Sequence, residues 1–319
     1  MTETPPSLTL RAKRIAVRWL PPIVSDALRT TLAKRRPAAA QTVREPVQPA
    51  TAQPLDVASP VEPVESPAAL EWEIMPDTDE TWASLGGWDH GSIVETQLAK
   101  WPGFLQSVAG PGMMGRSHEA TAAQIDLATH NTIISFGYAL GRSCDRERTV
   151  SVLDWGGGLG HYAVYARVLF PEQAFDFHVK DLPGLCSAGA NLLPDVTFHA
   201  DDQAALSRSY DFVLASSAVH YVRDPYAKIA ELCAASGQRL LITRTPVLEH
   251  GDDVLVVQRP HRYGYITEYA GWMMNRRRLI ESVEAQGFRL ERQFLVGEQP
   301  YLPDMEEQAQ YYGFLFCRV

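Results

Sequence analysis

The chain has 319 residues, 45% of them hydrophobic and 21% charged, with a formal net charge of −9. That is length for about two domains of roughly 150 residues each, with enough apolar content to exclude wholesale disorder. The acidic balance excludes a general nucleic-acid binder, which needs a basic face for phosphates. Four scattered cysteines (Cys144, Cys186, Cys233, Cys317) form no CxxC or His/Cys cluster, so neither a metal site nor a disulfide framework is expected.

Charge and proline are unevenly spread. Residues 1–45 carry a net charge of +6 and the remainder −15, and eleven of the 22 prolines lie in the first 70 positions. Leu8, Ala12, Ile15 and Trp19 share one helical face, and Arg11, Arg14 and Arg18 share another. Residues 1–36 therefore read as a basic amphipathic leader, suited either to peripheral contact with an anionic membrane surface or to packing on the rest of the chain. No apolar run is long enough for a signal peptide or a membrane span. The expected localisation is cytoplasmic, with any membrane contact peripheral and at the inner face. Residues 37–70 read as a disordered Pro/Ala-rich linker.

Residues 71–148 read as a helical cap region. Ser92 is a candidate N-cap for a helix running towards Pro102, and residues 119–140 read as a long helix closed by Gly141. Trp82, Trp88 and Trp101 are taken as packing anchors. From residue 149 to 319 the texture changes to strands (150–154, 175–181, 196–199, 210–215, 239–245) alternating with helices (161–169, 185–193, 225–235). Asn275 caps a further helix to residue 285, and strands over 288–296 and 311–319 close the chain. The pattern predicts an α/β fold: a Rossmann-like, seven-stranded, mostly parallel sheet with an antiparallel C-terminal hairpin.

The strongest local signal is the glycine turn Gly156-Gly157-Gly158-Leu159-Gly160 at the tip of the first strand of this region, preceded by Asp154. Glycines permit a sharp turn and let a ligand approach bare backbone at the positive end of the next helix. Gly158-x-Gly160-x-x-Ala163 formally satisfies a dinucleotide fingerprint. A carboxylate at Asp154 sits poorly beside a pyrophosphate, however, and suits a ligand bearing an ammonium and a sulfonium. Asp181, followed by Leu182, ends the second strand, where an acid can accept both ribose hydroxyls. Asp201 and Asp202 follow the third strand, and either can accept from an adenine amino group. Ser216 ends the fourth strand and leads to His220 and Tyr221. These two, with His161 beside the glycine turn, are the candidate catalytic groups for orienting an acceptor or removing its proton.

The Asp-x-Gly-x-Gly-x-Gly pattern at Asp154, Gly156, Gly158 and Gly160 resembles motif I of class I S-adenosylmethionine-dependent methyltransferases. The segments LDWGGGLGHY, HVKDLPGLCSAG, LASSAVHYVRDPY, LLITRTPV and WMMNRRRLIESVEAQGF, with Gly86-Gly87-Trp88-Asp89, are together similar to a family of bacterial methyltransferases. Genes of that family commonly lie among those for cell-surface polysaccharide biosynthesis. The resemblance spans about residues 80–295. It implies S-adenosylmethionine as cofactor, bound by Asp154, Gly156, Gly157, Gly158, Gly160, Asp181, Leu182, Asp201, Asp202 and Ser216. It also implies a small-molecule or glycan acceptor, covered by the helical cap and by an insertion over 250–274. Arg244, His261, Arg262 and Tyr263, in or near the insertion, are candidates to meet a sugar, phosphate or carboxylate. The alternatives are a non-catalytic S-adenosylmethionine-binding partner or regulator and, more remotely, an NAD-dependent Rossmann enzyme.

Overall fold

The computed structural model describes residues 71–115 and 126–319; the expected leader, linker and start of the 119–140 helix lie outside the described residues. The chain opens with a short strand β1 (Trp72–Ile74), then helices α1 (Asp79–Ser84), α2 (Gly91–Val108) and α3 (Leu127–Gly141). Four parallel strands follow: β2 (Val150–Trp155), β3 (Phe175–Lys180), β4 (Thr197–His199) and β5 (Tyr210–Ser216). Between them run α4 (His161–Leu169), α5 (Pro183–Leu192) and α6 (Asp202–Leu206). Helix α7 (Pro225–Ala235) leads into the long β6 (Ser236–Leu248). Strands β7 (Val254–Gln258) and β8 (Tyr269–Asn275), helix α8 (Arg276–Glu284), and strands β9 (Phe288–Leu295) and β10 (Gln310–Arg318) complete the chain.

Seven strands lie in the order β4-β3-β2-β5-β6-β10-β9, parallel except for β10, which runs antiparallel to both β6 and β9. This is the expected Rossmann-like sheet with its terminal hairpin. Period-two alternation sorts its side chains onto two helical layers. Val152, Phe212, Leu214 and Leu241 face one core with Phe136 of α3 and Ala163 and Ala166 of α4. Leu153, Val213, Ala215, Leu240 and Ile242 face the other with Ile229 and Leu232 of α7 and Leu279 of α8.

Three strands were not anticipated. β6 outruns β5, and its last residues Val247 and Leu248 pair in parallel with Met274 and Asn275 of β8. β7 then pairs antiparallel with β8, and β1 with β7. The expected insertion over 250–274 is thus sheet, and its edge is supplied by residues assigned from sequence to the helical cap. A three-residue strand such as β1 is too short to show a period; only its partner β7 defines it.

Two helix starts also differ from expectation. Ser92 does not cap α2: His90 does, its Nδ1 accepting from the Ser92 N–H, while Ser92 Oγ accepts from the Ile266 N–H at 3.0 Å. The serine ties the helix to the 264–267 loop instead. α2 also continues past Pro102 to Val108. Asp126, inside the expected 119–140 helix, is extended and caps α3, its carboxylate accepting from the N–H groups of Ala128 and Thr129.

Helix α5 packs closely on β4. A Cβ on Gly189 would lie 2.4 Å from the Phe198 ring. Alanine normally improves a helix interior by about 1 kcal/mol over glycine, but here the overlap reverses the sign. Gly189→Ala should lower stability by about 1–3 kcal/mol, measured from urea unfolding; a stabilised variant would contradict this packing.

Candidate functional site

The site forms where β2, β3 and β5 end together. Gly156 N–H donates to the Lys180 carbonyl at 2.8 Å, locking the turn after β2 to the end of β3. Gly156, Gly158 and Gly160 hold φ of +78°, +58° and +89°, a region side chains rarely enter. Space excludes side chains as well. A Cβ on Gly156 would fall 2.5 Å from the Ala218 Cβ, and one on Gly157 2.4 Å from Asp154 Oδ2. The turn opens onto a cavity of about 540 Å³ walled by Gly156, Gly157, Gly158, His161, Lys180, Asp181, Leu182, Asp202, Ser216 and Tyr221 among others.

The expected acids separate by environment. Asp181 stands on the wall, its two oxygens accepting from the Gly158 and Leu182 N–H groups, both at 2.7 Å. Each oxygen keeps a further lone pair for a ligand hydroxyl. Burial raises its pKa, and these two N–H groups oppose the rise. Asp202 also reaches the wall and takes Trp155 Nε1–H at 2.7 Å, with Lys228 and Lys180 ammonium groups at 3.0 and 3.3 Å. Asp201 does not reach it: its carboxylate caps α6, accepting from the Ala204 N–H at 2.9 Å. Of the two candidates after β4, only Asp202 faces the cavity.

Asp154 requires a correction. It is fully buried beneath Gly157, off the cavity wall, and neither oxygen accepts a hydrogen bond from any described residue. Burial, and secondarily the Asp181 charge, hold its carboxyl well above the usual carboxylate range. It therefore supports the turn from below, behind the cavity wall. Gly160 is also off the wall: it is the N-cap of α4, and a Cβ there would lie 2.9 Å from Leu193.

The catalytic candidates also divide. His220 is fully buried and off the wall, neither ring nitrogen bonds a described residue, and burial pushes its pKa down to about 3. It is a core group behind the wall, held neutral by burial. Tyr221 does line the cavity, but its hydroxyl donates to Gln258 Oε1 at 2.9 Å, so it offers its ring. His161 lines the cavity with its ring edge-on between Trp101 and Phe104, at centroid distances of 4.9 and 4.6 Å. Ser216 Oγ shares a 2.7 Å hydrogen bond with the Tyr162 hydroxyl, whose pKa burial pushes up to about 12.

Several wall residues escaped the sequence reading. Trp88 stacks on Tyr269 at 4.2 Å and meets Tyr221 edge-on at 5.0 Å, making one aromatic face. The local signal was only the Gly86-Gly87-Trp88-Asp89 segment; Tyr269 is brought in by β8. Ser217 and Arg244, the latter already a candidate acceptor contact from sequence, adopt φ of +51° and +48°, where β5 and β6 part company. Such strained residues cost on the order of 1–3 kcal/mol each and cluster at functional sites; both line the cavity. Arg244 Nη2 also donates to Glu298 at 2.7 Å. His261, Arg262 and Tyr263 form a single helical turn off the wall, with Arg262 paired to Glu71 at 3.0 Å.

No protein family's model and no curated protein matches the chain. Solved structures are similar to it at low identity. Magnesium protoporphyrin IX methyltransferase from Synechocystis PCC 6803, with bound S-adenosylhomocysteine, is 15% identical over 71% of this chain and 98% of its own, with a TM-score of 0.45. The 1,6-didemethyltoxoflavin-N1-methyltransferase of Burkholderia thailandensis is 15% identical over 77% of this chain and 93% of its own, with a TM-score of 0.42. An S-adenosylmethionine-dependent methyltransferase from Clostridium acetobutylicum ATCC 824 is 10% identical over 59% of this chain and 90% of its own, with a TM-score of 0.41. Similarity at this level assigns no chemistry, which has to come from the site.

The burial of Asp154 has a pH consequence. Its pKa is higher folded than unfolded, so its contribution to stability is complete below the usual carboxylate range and is lost as pH rises towards the raised value. Asp154→Asn removes that loss. The variant's urea midpoint should therefore gain on wild type between about pH 5 and about pH 8; a difference constant across that range would contradict the assignment.

Proposed function

We propose that the protein is an S-adenosylmethionine-dependent methyltransferase acting on a hydroxyl of a saccharide or glycan-related acceptor. The observation that carries the reading is the cavity at the ends of β2, β3 and β5, where the glycine turn and the doubly anchored Asp181 meet. S-adenosylmethionine, when bound, supplies a methyl group on a sulfonium that is already an activated leaving group. Asp181 accepts the ribose hydroxyls, Asp202 accepts from the adenine amino group, and the backbone at Gly156–Gly158 permits close approach. Gln97 Oε1, a wall acceptor over Gly158 that no described residue engages, suits a cationic group better than a pyrophosphate, which argues against the NAD-dependent reading.

The other half of the cavity orients the acceptor for in-line attack. Trp88, Tyr221 and Tyr269 offer aromatic faces that the C–H side of a sugar ring can cover. Removal of the hydroxyl proton falls to His161 or to Asp89, an exposed carboxylate on the same wall. Radioactive methyl transfer to saccharide acceptors tests the acceptor class; labelling confined to non-sugar acceptors would reject it.

The basic leader supports a peripheral membrane role close to glycan precursors. No described helix is long and apolar enough to cross a membrane. Flotation of the full chain with anionic vesicles should weaken with salt and vanish on deletion of residues 1–36; salt-independent flotation rejects this role.

Calorimetry tests the cofactor. Wild type should bind S-adenosylhomocysteine, and Asp181→Ala should weaken that binding by about tenfold or more. Absence of binding at about millimolar ligand, or tighter binding of NAD, would overturn the reading.

A further inference from the structure

Gln97 lies midway along α2, is only 5% exposed, and lines the cavity. Its Oε1 is buried and accepts no hydrogen bond from any described residue. An orphaned amide oxygen is a cost that an apolar side chain of the same size would avoid. Anchoring α2 does not require it, because neighbouring residues already do so. Thr96 Oγ1 donates to the Gly264 carbonyl at 3.2 Å, Lys100 Nζ to the Tyr263 carbonyl at 3.0 Å, and Ser92 holds Ile266. The cost is therefore unexplained by the fold.

The position of the amide suggests what offsets it. A Cβ on Gly158 would come within 3.0 Å of Gln97 Oε1, so the oxygen overlies the middle glycine of the turn. The N–H of the same glycine is taken by Asp181. Asp154, the acid expected from sequence to receive a cationic group at this turn, is sealed beneath Gly157. A ligand with an ammonium group lying over Gly158 would therefore meet the Gln97 amide oxygen, which no described residue engages.

We propose that Gln97 recognises the amino-acid end of S-adenosylmethionine, its Oε1 accepting a hydrogen bond from the ligand ammonium. The inference rests on the cofactor reading above and adds to it the residue that separates the complete ligand from its nucleoside part.

The test compares two probes on the full chain by calorimetry. S-adenosylhomocysteine carries the amino-acid end; 5′-methylthioadenosine has the same nucleoside and sulfur without it. Gln97→Met keeps the length and removes the acceptor. It should weaken S-adenosylhomocysteine about tenfold or more and leave 5′-methylthioadenosine unchanged. Its ligand-free melting temperature should equal or exceed that of wild type, since an orphaned polar atom is gone. Gln97→Glu, which restores an acceptor, should hold the ratio of the two affinities at or above the wild-type value. Unchanged binding of both probes, an equal loss for both, or a lowered ratio in Gln97→Glu would overturn the role of Gln97. A wild-type chain that binds neither probe would instead overturn the cofactor reading, and this inference with it.

Discussion

How closely the backbone can pass over the end of β2 decides everything that follows at this site. Ala218, arriving from β5, presses on Gly156, and the Asp154 carboxyl presses on Gly157 from below. With side chains absent at both positions, the turn lies flat against the sheet ends and leaves open space above. The same geometry directs the Gly158 N–H to Asp181, fixing that carboxylate on the wall. The cavity, its acid and its floor are thus consequences of a single steric condition, and the helical layers on both faces of the sheet hold that condition in place.

The legible part of the molecule was the part written in short-range pattern. Apolar runs of β2, β3 and β5, each followed by a helix, identified the parallel sheet, and the glycine turn marked the end at which the cavity opens. β1, β7 and β8 were illegible because their identity depends on partners far apart in sequence: Trp72 meets Gln258, and Val254 meets Met273. That addition supplies Tyr269 to the wall, so the aromatic face could not be assembled from any local motif. Ser92 shows the same limit on a smaller scale. A serine at a helix start is a good cap by composition, yet the Ile266 N–H claims it.

Charge changed meaning once residues were placed. From sequence the acids at the strand ends formed one class. In the structure Asp181 is anchored on the wall, Asp202 is held by Trp155 and two lysines, Asp201 caps a helix, and Asp154 is buried with no hydrogen-bond partner among the described residues. The strand-end rule identifies where acids fall but not which way they face; that depends on whether a helix N-terminus or a lysine claims them first. His220 follows the same logic, since its place beside the loop was correct and its depth removed it from the cavity.

Hydrogen–deuterium exchange on the full chain, with and without S-adenosylhomocysteine, addresses the central claim most directly. If the turn and Asp181 form the ligand cradle, the ligand should slow exchange at the amides of residues 156–161 and of Asp181 and Leu182 beyond any change in the β9–β10 hairpin. Protection spread evenly over the sheet, or confined to surfaces away from the end of β2, would contradict the account.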